Sequence, residues 1–429
     1  MKKIVLFLVL CAGISIWNLT FAAGKEVGAN DLGESEPEIT LDDLLRAAVA
    51  NNPAIQSAGY ASEASKALVP AASALPDPTV TFENMGKLIP PSLMAGDPSS
   101  ARTYGIEQEI PFPGKRGLKE SIAAAEADTQ EWNHQLTHRE VISELKQAFY
   151  DLYYIRKSLD ILMKNKDLLD NFEKIAESRY QVGQTIQQDV LKAQVEISKV
   201  LDRMLTVGEK KRITEAKINS LLNRPQETPV GKPAEFKRAE LTYSLEEMTE
   251  MATSGSPALK AQESEIMRRQ YGVDLAHKGY YPDFAVGFTY FERDRNPDMY
   301  GLTLSAKLPL YFWTKQRPEL DAARLNLSSA KSMRDNTSST VRYQVKEGYT
   351  RAATSEKLSK LYSSAIVPQA NLALSSAIAN YQVGKIDFLQ LIDSSVALLD
   401  YELKYYESIV EFHKSLAQLE PLVGTELTN

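Results

Sequence analysis

Four histidines are the residues of this 429-residue chain with the most chemistry to offer, and only His134 and His138 stand at a useful spacing, with His277 and His413 isolated. An i, i+4 pair on a helix can hold a transition metal, but the carboxylate-bearing HExxH pattern of zinc hydrolases is missing around it. The pair is therefore read as a solvated helix face. No nucleophile elbow and no phosphate-cradling glycine loop occurs, so no catalytic, cofactor-binding or metal-ligating residue is assigned, and an enzyme is not expected. The methionines are scattered, and Met94, Met251 and Met333 have no partner at helical spacing that would suit a soft metal ion.

Composition narrows the classes further. Lys and Arg total 49 against 56 Asp and Glu, a net charge of -7, which gives no basic surface for nucleic acid. Lys2 and Lys3 precede an apolar run from Ile4 to Leu10, and Thr20-Phe21-Ala22 supplies a cleavage site, so residues 1–22 read as a secretory signal with the mature chain starting near Ala23. The single cysteine, Cys11, lies inside that leader behind Leu10, where a lipid-anchoring site would need a small residue. The mature chain then has no thiol, and disulfides and thiolate metal sites are excluded. Beyond the leader, no stretch reaches the roughly 18 apolar residues of a membrane helix.

The elements must be read from a repeat. "RYQVGQTIQQD" begins at Arg179 and "NYQVGKIDFLQ" at Asn380. Leu41-Asp42-Asp43-Leu44 is echoed by Leu245-Glu246-Glu247-Met248, Pro53 by Pro257, Pro78 by Pro282, Tyr104-Gly105 by Tyr300-Gly301 and Ile110-Pro111 by Leu308-Pro309. This is a tandem duplication, with a first half over 23–223, a linker over 224–244, a second half over 245–421 and a tail over 422–429.

Within each half the period changes. Apolar residues recur at threes and fours through Ile142, Leu145, Phe149, Leu152, Ile155, Leu159 and Leu162, in a stretch from about 117 to 180 that has no proline or glycine after Gly117 itself. About 64 residues at ~1.5 Å each make a rod of ~95 Å. A partner helix is expected over 186–222, stopped by Pro225, and the second half should carry helices over 318–381, kinked at Pro368, and 387–420, ending before Pro421. Each Tyr-Gln-Val-Gly word then turns the tip of a helical hairpin. Ahead of each long helix, period-two strands are expected over 79–87 and 102–110, and over 283–292 and 300–309, each about as long as a tilted membrane strand. Four strands cannot close a barrel, and open edges cannot sit in lipid, so a membrane role requires several chains to pool strands.

The leader, the duplicated halves and the paired tips together resemble the TolC-type outer membrane efflux family over about 41–421. The likeness is carried above all by "RYQVGQTIQQDVLKAQ", "IPFPGKRG" at 110–117 and "IVPQANLALSSAIANYQVG" at 366–384. The second of these looks most like members serving heavy-metal resistance-nodulation-division pumps. The resemblance implies a mainly α fold with a small β part: a homotrimer with a twelve-stranded outer membrane barrel in lipid, continued by a long periplasmic α-helical barrel. It implies a passive exit duct for heavy-metal cations or drugs, with most of its mass in the periplasm, met by a periplasmic adaptor and an inner membrane pump. A type I secretion duct shares the fold, and a channel-free coiled-coil scaffold is the remaining alternative. By the same resemblance Val182, Gly183, Val383 and Gly384 dock the adaptor. Asp189 and Tyr381 match a gate link and Asp393 a ring acid, while Gln390 and Ile386 depart from the family pattern, leaving Lys385 and Asp387 as substitutes. Asp189 and Asp387 equally suit simple helix capping.

Overall fold

The computed structural model describes residues 37–427, apart from positions 238 and 295. The expected leader with Cys11, the start near Ala23 and the last two residues of the tail lie outside the described residues. The first half contains β1 (Glu38–Ile39), α1 (Leu41–Asn51), α2 (Pro53–Ala72), β2 (Thr79–Met85), β3 (Ala101–Ile110), α3 (Lys115–Gln181) and α4 (Gln187–Leu221). After β4 (Lys232–Pro233) the second half repeats the order with α5 (Leu245–Gly255), α6 (Pro257–Lys278), β5 (Asp283–Glu292), β6 (Met299–Lys307), α7 (Gln316–Leu361), a π turn (Tyr362–Ile366), α8 (Val367–Gln382) and α9 (Phe388–Val423).

The echoed sequence words turn out to be helix starts. Thr40 caps α1 by accepting from the Asp43 amide, and Ser244 caps α5 in a reciprocal capping box with Glu247. Leu44 and Met248 are buried behind them, and Pro53 and Pro257 open the next helices, where a missing N–H costs nothing. These four shorter helices were not anticipated, and each half is thus richer than helix-strand-strand-helix. The linker is not featureless either, since β4 pairs in parallel with β1, Glu38 against Lys232 and Ile39 against Pro233.

Several boundaries differ from expectation for local reasons. β2 stops at Met85, where the buried Ser100 hydroxyl donates to the Met85 carbonyl and accepts from the Met94 amide, tying the loop off. β6 stops at Lys307 because Pro309 has no donor and the Leu310 amide turns back to Leu308. Pro318 lies inside the first turn of α7, which begins at Gln316. The kink expected at Pro368 takes the form of the π turn, whose extra residue accommodates a ring that would otherwise crowd the carbonyl one turn back. α9 runs through Pro421 to Val423 and ends at left-handed Gly424, whose amide donates to the Glu420 carbonyl. A Cβ on Gly424 would sit 2.6 Å from the Gly255 carbonyl oxygen, so the ends of α5 and α9 meet there backbone to backbone.

Two clusters join the halves. Toward the hairpin tips, Leu169, Phe172 and Ala176 of α3 pack with Ala193 and Val200 of α4, Leu374 and Ala377 of α8, and Leu391 and Leu399 of α9. At mid-height Leu145, Phe149 and Leu152 of α3 pack with Leu44, Ile218 and Val410. Beside the latter, Lys146 donates to both Glu420 carboxylate oxygens at 2.9 and 2.8 Å, with both side chains buried. The Glu420 carboxylate also accepts from the Leu427 amide.

Candidate functional site

Side-chain alternation gives the four-stranded sheet, ordered β2-β3-β5-β6, two chemically opposite faces. Register places Phe82, Tyr104, Tyr290 and Tyr300 in one row across all the strands, with Val80, Ile106, Phe288 and Leu302 in the next row on the same face. The opposite face carries Thr81, Gly105, Thr289 and Gly301 in register, with Glu83, Glu107, Thr303 and Ser305 alongside. The large residues of the apolar face are exposed in the single chain. β2 and β6 are both open edges, which neither water-soluble nor lipid-embedded sheets leave unmanaged.

The helices end in the same state. α4 packs along α3 and barely touches α9, leaving Leu191, Val195, Leu201, Leu205 and Ile213 exposed. Leu325, Tyr343, Leu361 and Leu372 are likewise exposed on the helix that runs from α7 into α8. Both lateral edges of the chain therefore present apolar surface. Among the described residues no helix is long and apolar enough to cross a membrane.

At the far end lie the two tips. Gly183 has φ +72° and Gly384 φ +73°, and each closes its helix with the paired hydrogen bonds of a Schellman motif. In the first tip Gln184 N donates to Arg179 O at 2.8 Å and Gly183 N to Tyr180 O at 3.0 Å; in the second Lys385 N donates to Asn380 O at 2.9 Å and Gly384 N to Tyr381 O at 3.0 Å. A Cβ at either glycine would meet nothing within 4 Å, so the left-handed backbone, not crowding, demands glycine. Val182 and Val383 are each 67% exposed.

The residues matched to a gate are brought near these tips but are wired differently from a simple Asp189–Tyr381 bond. Asp189, in the first turn of α4, accepts a hydrogen bond from the Thr185 hydroxyl. Tyr381 is only 3% exposed, its ring 5.5 Å from Phe388, and its hydroxyl has no hydrogen-bond partner among the described residues. Burial pushes the Tyr381 phenol above its ordinary pKa, with the Arg179 guanidinium acting in the opposite direction. Asp387 caps α9, accepting from the Gln390 amide at 2.8 Å. Lys385 and Asp393 are exposed and form no ion pair among the described residues.

Arg179 was missed. Its Nη2 donates to the Gln382 carbonyl at 2.7 Å, and its guanidinium carbon stands 4.5 Å from the Tyr381 ring centroid, so hairpin one grips hairpin two. The sequence offers one weak signal, that Arg179 stands immediately before the repeated Tyr-Gln-Val-Gly where the second copy has Asn380. The Asn380 amide bonds locally to the Ser376 hydroxyl instead.

The histidine pair is not on a solvated face. His134 and His138 are half-buried and line a cavity of about 330 Å³ with Glu131, Arg139, Glu420 and Glu426. Burial, with His134 and Arg139 adding to it, lowers the His138 pKa, while Lys66 and Ser62 hold Glu131 down at about 2. Among the described residues no three His, Cys, Asp or Glu side chains are grouped so as to hold a metal ion.

With this geometry in view, the chain matches the family model described as outer membrane efflux protein over residues 44–224 and 248–425. It is 18% identical over 401 residues to the cobalt-zinc-cadmium resistance protein CzcC of Cupriavidus metallidurans, covering 91% of each chain. Among solved structures it resembles the outer-membrane channel OprN, with a TM-score of 0.77 at 15% identity over 90% of both chains. It also resembles the open state of the Neisseria gonorrhoeae MtrE outer membrane channel, with a TM-score of 0.75 at 16% identity over 90% of this chain and 89% of that one.

Proposed function

Because this chain belongs to the outer membrane efflux protein family, and is the outer membrane exit duct of a pump that works with adaptor and inner membrane partners, we propose that it acts as a homotrimer carrying heavy-metal cations. The observation that carries the assembly is the amphipathic sheet with two open edges. Joining β6 of one copy to β2 of the next in three copies gives twelve strands, removes every edge and turns the apolar face to lipid. The same rotation lets the apolar stripe of α4 meet that of α7 and α8 in the next copy, continuing the barrel as helices.

Exposed Val182 and Val383 beside left-handed Gly183 and Gly384 offer a small apolar knob and open backbone to the adaptor. The likeness to CzcC favours metal cations as cargo, and the resemblance carried by residues 110–117 favours a resistance-nodulation-division pump as the energy source. Asp189, Tyr381, Lys385, Asp387 and Asp393 form the periplasmic mouth in this reading, with exposed Asp393 from three copies concentrating cations there. The experiment is complementation of a strain lacking the duct, with the same variants tested in planar bilayers. Wild-type protein should restore cobalt, zinc or cadmium resistance, and Asp393→Asn should reduce cation selectivity while trimers persist. Restoration of dye resistance alone would contradict the cargo, and unchanged selectivity would leave Asp393 as ordinary helix chemistry.

A further inference from the structure

His134 and His138, which no part of the duct's chemistry uses, lie one turn apart in the unbroken length of α3, so the helix backbone holds their imidazoles in fixed relation on one face. Both line the cavity of about 330 Å³, and the rings are close enough for His134 to disfavour the charged form of His138. Among the described residues neither ring has a hydrogen bond or an ion pair. Gly59 of α2 borders the His134 ring without a side chain to cover it, and a Cβ there would touch Nε2 at 3.6 Å. Four ring nitrogens thus stand beside a cavity with little competing for them.

The carboxylates nearest the pair are already engaged. Glu131 accepts from the Ser62 hydroxyl at 2.9 Å and the Lys66 ammonium at 2.8 Å, and Glu420 is held by Lys146 and the Leu427 amide. Glu426 and Arg139, the other charged residues of the lining, are of opposite sign. The cavity therefore has no net negative field to draw a hard cation, and Ca²⁺ or Mg²⁺, which need several oxygen ligands, gain nothing there. What it offers is a pair of imidazoles, with His138 held by burial in the neutral form that ligates, and room for water. Such donors suit borderline divalent transition metals.

We infer that His134 and His138 form a two-imidazole clamp for one divalent transition-metal ion per chain, of the zinc, nickel or copper kind, with water in its remaining coordination positions. No third protein ligand is grouped with them among the described residues, so the site is open and exchangeable and does not hold the fold together. The clamp stands apart from the channel and cargo readings, because it needs only α3 and the elements around this cavity.

The test uses detergent-extracted protein without a polyhistidine tag, stripped with a chelator and dialysed against Zn²⁺. One zinc ion should bind per chain and persist in excess Ca²⁺ and Mg²⁺. His134→Gln and His138→Gln should each weaken binding by more than about tenfold, since losing even a residue that only supports a ligand costs metal sites about 10–100-fold. His277→Gln and Asp393→Asn should leave it unchanged. Cu²⁺ added at one equivalent should show electron paramagnetic resonance splitting from two imidazole nitrogens in the wild-type protein and from one in either variant. A wild-type spectrum without two such nitrogens overturns the inference even where a variant misfolds. Zinc binding that both variants retain overturns it too, as does wild-type protein that binds no zinc. Loss of the ion in Asp393→Asn alone would place it at the periplasmic mouth, overturning the clamp while supporting the reading of the mouth.

Discussion

Hairpin one, α3 with α4, and hairpin two, α7 and α8 with α9, descend from one duplicated unit yet differ where they would have to move. α3 runs unbroken for 67 residues, whereas its counterpart is divided by the π turn at Tyr362–Ile366. Tyr180 is 46% exposed and Tyr381 is buried, although both stand in the same word. The grip of Arg179 on Gln382 and Tyr381 has no reciprocal from Asn380. Duplication thus supplied two equivalent tips, and a few substitutions made one a brace and the other the braced element.

The largest effect should come from removing what the tips still share. Val182→Asp and Val383→Asp place a carboxylate on the exposed knob without touching the glycine turn. Each should sharply reduce metal resistance while surface trimers remain normal on a gel; full resistance in both would deny the tips a docking role. Next comes the joint between the halves. Lys146→Ala removes the cation facing buried Glu420, and losing one member of such a pair costs about 3–5 kcal/mol. A marked fall in the thermal midpoint is expected, whereas a wild-type midpoint would show that this ion pair adds nothing to the joint.

The brace itself should have a smaller, directional effect. Arg179→Ala frees hairpin two and should raise single-channel conductance, as should Tyr381→Phe combined with Asp189→Ala, while Asn380→Arg offers a second grip and should lower it. Equal conductance in all of them would remove the asymmetry from the mechanism. The smallest effect is acid sensitivity at His138 of α3 in hairpin one. His138 has a folded pKa below its unfolded value, so the folded state resists protonation. Its stabilising contribution is full above the unfolded value of about 6.5 and is lost as pH falls toward the folded one. His138→Gln should flatten that part of the stability profile, read by melting at several pH values.

Much of this was legible in the sequence because it rests on period and punctuation. The long helices followed from apolar residues at threes and fours, and the tips from glycines that the left-handed backbone requires. The four shorter helices were visible only as echoed words, for eleven residues of α1 or α5 give too few turns for periodicity to stand out. The π turn was half legible, since Pro368 announced a disturbance but not how the backbone would absorb it. Arg179 escaped because its partners lie on the other hairpin, and cross-hairpin distances are set by packing of the tip cluster, which no local pattern encodes. The same holds for His134 and His138, half-covered by elements far away in sequence.

The channel depends on several copies pooling their open edges. Multi-angle light scattering of the detergent-extracted protein, corrected for bound detergent, tests this most directly. The account predicts one species with the mass of three chains; a monodisperse monomer, soluble without detergent, would contradict it.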